Sequence, residues 1–228
     1  MLKVKAVFMF SSSIVKILAS PFENILQNLP WSEILEKAWR YTWGRLSTRG
    51  MYEVLEYESI LELLDPGGRQ AIFHKRQRVR YLQDNIIAYQ DQAWGDGRIL
   101  LDYRCTPGFP VDRYELGHKT IILISLREAK QRGDVDEFNI QWGIKDGFRN
   151  SQESWETEIN HRTRHFRLRV IFPPDRPPLR RVCIEASRQV TNSISGELLC
   201  KLPDGRSQVV FDLKRPRLNE RYILKWEW

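Results

Sequence analysis

The stretch Tyr52–Leu82, YEVLEYESILELLDPGGRQAIFHKRQRVRYL, decides the fold. Two runs of alternating apolar and polar residues, Tyr52–Leu64 and Gln70–Leu82, flank Asp65-Pro66-Gly67-Gly68. Alternation with period two marks a half-buried strand, and the Pro-Gly centre is turn chemistry. Closing the hairpin on that centre predicts antiparallel partners whose numbers sum to 133. Tyr52 then faces Tyr81, Val54 faces Val79, Ile60 faces Phe73 and Glu58 faces Lys75 on one side of the sheet. Glu53 faces Arg80 and Leu61 faces Ile72 on the other. Apolar and opposite-charge matches of this kind are what fix a register.

Working toward the C-terminus, short strands recur at the spacing of an all-β domain. They are expected at Ile86–Ala93, Arg98–Arg104, Lys119–Arg127, Glu137–Ile144 and Thr163–Phe172, then at Val182–Arg188, Leu198–Leu202, Gln208–Leu213 and Tyr222–Trp228. Trp94-Gly95-Asp96-Gly97 reads as the turn of a second hairpin, and Pro203-Asp204-Gly205 as another. The run Thr-Ile-Ile-Leu-Ile-Ser-Leu from Thr120 is apolar enough for a central strand. Pro173-Pro174 and Pro177-Pro178 cannot donate ladder bonds, so they belong to a connection.

Toward the N-terminus the period changes. Ile14, Val15, Leu18, Phe22, Ile25, Leu26 and Leu29 recur once per helical turn, and Ser20-Pro21 has the form of an N-cap followed by Pro at the first helical position. Pro30 opens a further helix whose apolar side carries Trp31, Leu35, Trp39 and Trp43. The chain thus reads as a mainly β protein: an antiparallel β-sandwich or open barrel of about ten strands over 51–228, behind an N-terminal helical arm over 1–50.

The 228 residues suffice for a core without staples, with 42% hydrophobic and 29% charged residues excluding a disordered chain. Cys105, Cys183 and Cys200 are odd in number, widely spaced and without a C-x-x-C, which argues against a disulfide framework and a cysteine zinc site. Free thiols point to the cytoplasm. Ala6–Val15 has the outline of a signal peptide, but three serines interrupt it and Lys16 follows. It is also far shorter than the roughly 20 residues that span a bilayer. The net charge of +7 is spread: +4 over 1–50, −2 over 51–100, 0 over 101–150, +2 over 151–200 and +3 over 201–228. Such a spread supports attraction to anionic partners more than a dedicated nucleic-acid face.

Candidate binding residues come from four places. His74, Arg76, Arg78 and Arg80 project to one side of the second hairpin strand and can grip phosphates or an acidic partner. The 133 register sets them across from Ser59, Tyr57, Leu55 and Glu53, which is an ordinary solvated face. In the second basic run Arg162 and Arg164 share a side with Phe166 and Leu168, and His165, Arg167 and Arg169 share the other side with His161. His161 and His165 stand more than about 10 Å apart on a strand, too far for one metal ion. Trp94 and Asp96 sit at a turn tip, where binding residues gather but where turn chemistry alone also places them. Trp31, Leu35, Trp39 and Trp43 can cover the sheet or dock a partner helix.

No phosphate loop, H-E-x-x-H, dinucleotide fingerprint or nucleophile elbow is present in the chain. The leading expectation is a non-enzymatic binding or regulatory module of the cytoplasm that presents a basic β surface to a protein partner or to a second copy, with no cofactor and no metal. A nucleic-acid protein using strands 74–80 and 162–169 is the second expectation, and it requires both rows on one face with aromatics between them. A hydrolase using His118 or His165 with a carboxylate is the third. Contact of residues 1–20 with a membrane surface is the least favoured partner reading.

Overall fold

The computed structural model describes residues 50–179, 182–186 and 199–228, all within one compact unit, Arg45–Trp228. The helical arm and its Trp31, Leu35, Trp39 and Trp43 lie outside the described residues. Thirteen strands are described: β1 (Tyr52–Leu63), β2 (Gln70–Tyr81), β3 (Ile86–Ala93), β4 (Arg98–Thr106), β5 (Phe109–Leu116), β6 (Lys119–Lys130) and β7 (Val135–Lys145) come first. They are followed by β8 (Gln152–Glu158), β9 (Thr163–Phe172), β10 (Cys183–Ala186), β11 (Leu199–Lys201), β12 (Ser207–Lys214) and β13 (Arg221–Glu227). The mainly β, antiparallel-dominated fold is the expected one. Strands β5 and β8 were not foreseen.

One sheet holds seven strands in the order β11-β12-β9-β1-β2-β7-β4, and two sheets hold three each, β10-β13-β8 and β3-β6-β5. Both small sheets pack on the same face of the large one. Lys75 of β2 reaches Asp91 of β3, while Phe73 packs on Trp155 of β8 and Phe172 on Trp226 of β13. The hydrophobic core, including Val54, Leu61, Val79, Phe138, Phe166, Leu168, Ile124 and Leu224, lies between these layers.

Three differences from the sequence reading have clear physical causes. First, β1 pairs with β9 in parallel, Val54 to Thr163 through Glu62 to Ile171, so the large sheet is not wholly antiparallel. A parallel partner is supplied by a distant segment and leaves no turn signal between the strands. Second, Trp94-Gly95-Asp96-Gly97 does turn the chain, but between sheets: β3 pairs with β6 and β4 with β7. Third, the hairpin follows the 133 register only at its open end, from Tyr52–Tyr81 to Val54–Val79. Beyond a bulge at Leu55 every pair shifts by one, so Glu56 meets Arg78, Glu58 meets Arg76, Ile60 meets His74 and Leu61 meets Phe73.

The tip explains the shift. Leu64 N–H donates to Gln70 O at 2.9 Å, so five residues, Asp65 to Arg69, form the loop, centred on Gly67. The Asp65 carboxylate accepts from Gly67 N–H at 2.7 Å and from Gln70 N–H at 2.6 Å, and Gly68 takes φ +65°. A Cβ at Gly68 would lie 1.6 Å from the Phe148 carbonyl oxygen, so only glycine fits there. An odd loop forces an even sum, and the bulge restores the register that puts Tyr52, Val54, Val79 and Tyr81 inside.

Candidate functional site

The shifted register assembles one polar surface on the outer face of the large sheet. On β2, Phe73, Lys75, Gln77, Val79 and Tyr81 are buried and His74, Arg76, Arg78 and Arg80 face outward. On β1 the bulge turns Glu56 and Glu58 outward, one residue out of phase with Glu53, and Ser59, Leu61 and Leu63 inward. On β9, Phe166, Leu168 and Val170 fill the core, which leaves His165, Arg167 and Arg169 outside. Arg164 also reaches the outer side, not the side of Phe166 expected from strict alternation, because it bonds Glu53. Arg162 is exposed just before β9, and its carbonyl accepts from Val54 N–H.

The two basic rows therefore share one face, with the acidic row of β1 between them. Glu53 bridges both, accepting from Arg80 at 3.3 Å and Arg164 at 2.8 Å. Glu58 also bridges both, standing 3.6 Å from Arg76 and accepting from Arg169 at 3.2 Å. Glu56 takes Arg78 at 3.5 Å and Arg76 at 3.6 Å, and Glu137 of β7 stands 3.9 Å from Arg76. At the hairpin end His74 lies 3.9 Å from Glu62, which also holds Arg206. At the β12 edge, Asp212 receives His165 at 2.6 Å and Arg167 at 2.8 Å. Partial desolvation pushes the Asp212 carboxyl up, but the bonds from His165 and Arg167 outweigh it and hold it below the ordinary carboxylate range. Arg76 and Arg78 remain close to half exposed.

The separators between the rows are thus carboxylates, where the nucleic-acid expectation required aromatics. Residues outside the described set hold ten Lys or Arg and four Asp or Glu, leaving 26 basic against 25 acidic residues in the described β domain. Six of the seven surplus charges therefore lie elsewhere in the chain.

The remaining candidates are engaged structurally. The Trp94 ring carries the Lys119 ammonium 4.6 Å from its centroid, and Lys119 pairs with Glu158 of β8. Asp96 is exposed in the same turn, and its carbonyl oxygen would lie 3.1 Å from a Cβ placed on Gly147. His161 stacks on Tyr52 at 4.2 Å, away from His165 on the outer face. His118 is exposed in the two-residue turn between β5 and β6. Among the described residues no group of three or more His, Cys, Asp and Glu is placed to hold a metal ion.

The sequence reading missed a polar cluster inside the core. Lys75, which the 133 register placed against Glu58, points inward and meets Asp91 at 2.8 Å, with only 8% and 1% of the two side chains exposed. Tyr103 of β4 donates to the second Asp91 oxygen at 2.9 Å, and Tyr89 donates to Gln77. The Lys75 ammonium lies 5.5 Å from the ring centroids of both Tyr57 and Tyr89. Burial works against its charge, but Asp91 and the two tyrosines outweigh it, so the ammonium titrates well above its ordinary value. Burial likewise pushes Tyr89 up to about 12. One signal was legible: Lys75 and Gln77 share the inward phase of Phe73, Val79 and Tyr81.

No protein-family model matches the chain, and no curated protein matches it. Solved structures do. An M1 zinc metallopeptidase from Deinococcus radiodurans aligns over 77% of this chain and 42% of its own at 12% identity and a TM-score of 0.45. A putative protease from Parabacteroides distasonis aligns over 79% and 41% at 7% identity and a TM-score of 0.50. The likeness to the second, at 7% identity, concerns the fold alone, and the chain spans about two fifths of those larger proteins.

Proposed function

We propose that this protein is a non-enzymatic binding or regulatory module that docks a protein partner on the outer face of its seven-stranded sheet. The observation that carries this reading is the laddered charge: guanidinium groups half open to solvent, each oriented by a carboxylate of the neighbouring strand. Such groups have lost part of their freedom before any partner arrives, so less entropy is lost on docking. Arg side chains with a fixed fork are also well suited to anchor an interface. Because both signs alternate across the face, it suits a partner with matching alternation more than a uniform polyanion. Three free cysteines accord with a reducing compartment, and we place the module in the cytoplasm.

The test is quantitative co-isolation from the source cells with the full chain and with its R76E/R78E/R169E variant. A protein recovered by the first and lost by the second is then purified and titrated directly at about 50 and 300 mM salt. We expect the variant to bind at least tenfold more weakly and the wild-type affinity to fall with salt. Equal binding by the variant overturns the reading. So does single-stranded DNA or RNA binding with a steep salt dependence that the same variant abolishes.

A further inference from the structure

We infer that the edge strand β5 pairs with β5 of a second copy, antiparallel and about a two-fold axis through Tyr114. This edge is separate from the charged outer face. Strand β5, Phe109–Leu116, pairs only with β6 among the described residues and is exposed along most of its length. Phe109 is 45% exposed and Val111 55%. The turn Gly117-His118, with Gly117 at φ +65°, closes the pair Leu116–Lys119. In a two-residue hairpin that closing pair is hydrogen-bonded, so Leu116, Tyr114 and Asp112 bond to β6. Glu115 and Arg113 then direct their backbone groups to the open edge. The Arg113 N–H points to that edge, where the Asp112 carboxylate accepts from it at 2.8 Å, and the carbonyl of the second copy takes the place of that carboxylate on pairing.

Two copies can pair only in registers that set edge-facing residues against each other, which makes the paired numbers sum to an even value. Pairing Arg113 with its own copy sets like charges together. The next register places Arg113 against Glu115 of the second copy, Glu115 against its Arg113, and Tyr114 against its Tyr114. Four backbone hydrogen bonds and two opposite-charge pairs then repeat across the axis, as a closed two-fold interface requires. Glu115 accepts from Thr120 through one oxygen at 2.8 Å, and the incoming guanidinium would bond the other, which has no hydrogen bond among the described residues. Pro110 and the irregular pairing next to it fall outside the paired stretch.

Other edges fit less well. Strand β4 has positive φ at Leu100 and Asp102 and two register breaks against β7. Strands β10 and β11 are four and three residues long, and β3 is broken at Ile87. Strand β8 is regular, but its charged residues are Glu153, Glu156 and Glu158, so a copy would meet its own sign.

The experiment is sedimentation equilibrium of the full chain over about 1–500 µM. Wild type should show a concentration-dependent dimer. R113E and E115R should each raise the dissociation constant about tenfold, because each turns both cross-strand pairs into like-charge pairs. Mixing the two single variants should restore dimers, as a 1:1 heterodimer, and R113E/E115R should dimerise alone. A wild type that stays monomeric throughout overturns the inference. So do single variants that dimerise like wild type, or a mixture that stays monomeric.

Discussion

The two faces of the large sheet carry the same kinds of charged side chain and use them in opposite ways. Outside, Arg76 shares Glu56, Glu58 and Glu137 at 3.6–3.9 Å, half exposed, so losing any one partner leaves others and leaves water. Inside, Lys75 has one carboxylate, Asp91 at 2.8 Å, and both are sealed by Tyr57, Tyr89 and Tyr103. Exposed ion pairs contribute little because water competes for each partner. A buried pair has repaid a desolvation cost of several kcal/mol, so removing one member leaves that cost uncompensated. Redundancy makes the outer face tolerant of losing a partner, and singleness makes the inner contact one that sets two layers in one position.

The largest expected effect breaks the inner pair. Asp91→Ala strands a buried ammonium and takes away the acceptor of Tyr103, and it should destabilise the fold by about 3–5 kcal/mol in urea unfolding. Adding Lys75→Met to Asp91→Leu should recover most of the loss, since an apolar pair of similar volume owes no desolvation. Should Asp91→Ala cost no more than an outer-face arginine, the contrast between the faces collapses.

A second inner contact scales the first. Ser59, fully buried on β1, shares a hydrogen bond with Thr157 at 3.1 Å and accepts from the Trp155 indole at 3.2 Å. These are neutral groups, so Ser59→Ala should cost about 1–3 kcal/mol, between the buried ion pair and the surface. Equilibrium unfolding at fixed m-value measures it. On the outer face, Arg76→Ala should change stability by at most about 1 kcal/mol while weakening the partner interaction proposed above. A stability loss as large as that of Asp91→Ala would mean that the outer ladder holds the fold and is not held ready for binding.

How far each face was legible follows from the same contrast. The hairpin, the buried alternation of Tyr222, Leu224 and Trp226, and the strands Ile86–Ala93 and Thr163–Phe172 could be read because period-two burial and turn residues are local. Strand β5 escaped because Phe109–Leu116 is an exposed edge whose side chains show no burial alternation to detect. The acidic row between the basic rows escaped for another reason. It depends on a single bulge at Leu55, set by the odd loop at the far end of the hairpin, and on a parallel partner more than a hundred residues away. The sum of 133 ignored Arg69, so it set Arg76 and Arg78 opposite Tyr57 and Leu55 where the fold sets them opposite Glu58 and Glu56. One residue of loop length thus decided whether the face looked basic or balanced.

The smallest effect distinguishes the faces by pH. Lys75 titrates above its unfolded value of 10.5, so its stabilisation is fully present below that pH and is lost only as pH climbs through the higher folded value. Asp212 titrates below its unfolded value of 3.8, so its stabilisation is present above about that pH and is lost as pH falls through the lower folded value. Lys75 should therefore leave stability flat from pH 5 to 9, and Asp212 should act only at the acid end. Asp212→Asn removes the titrating group next to His165 and Arg167. Thermal unfolding of this variant should match wild type near pH 7 to within a degree or two, the pair being exposed and solvent-screened. Below about pH 4 its melting temperature should fall less steeply with acid than that of wild type. Identical acid slopes for the two proteins would show that Asp212 does not hold its neighbours, and that the β12 edge of the ladder is solvated charge with no fixed geometry to offer a partner.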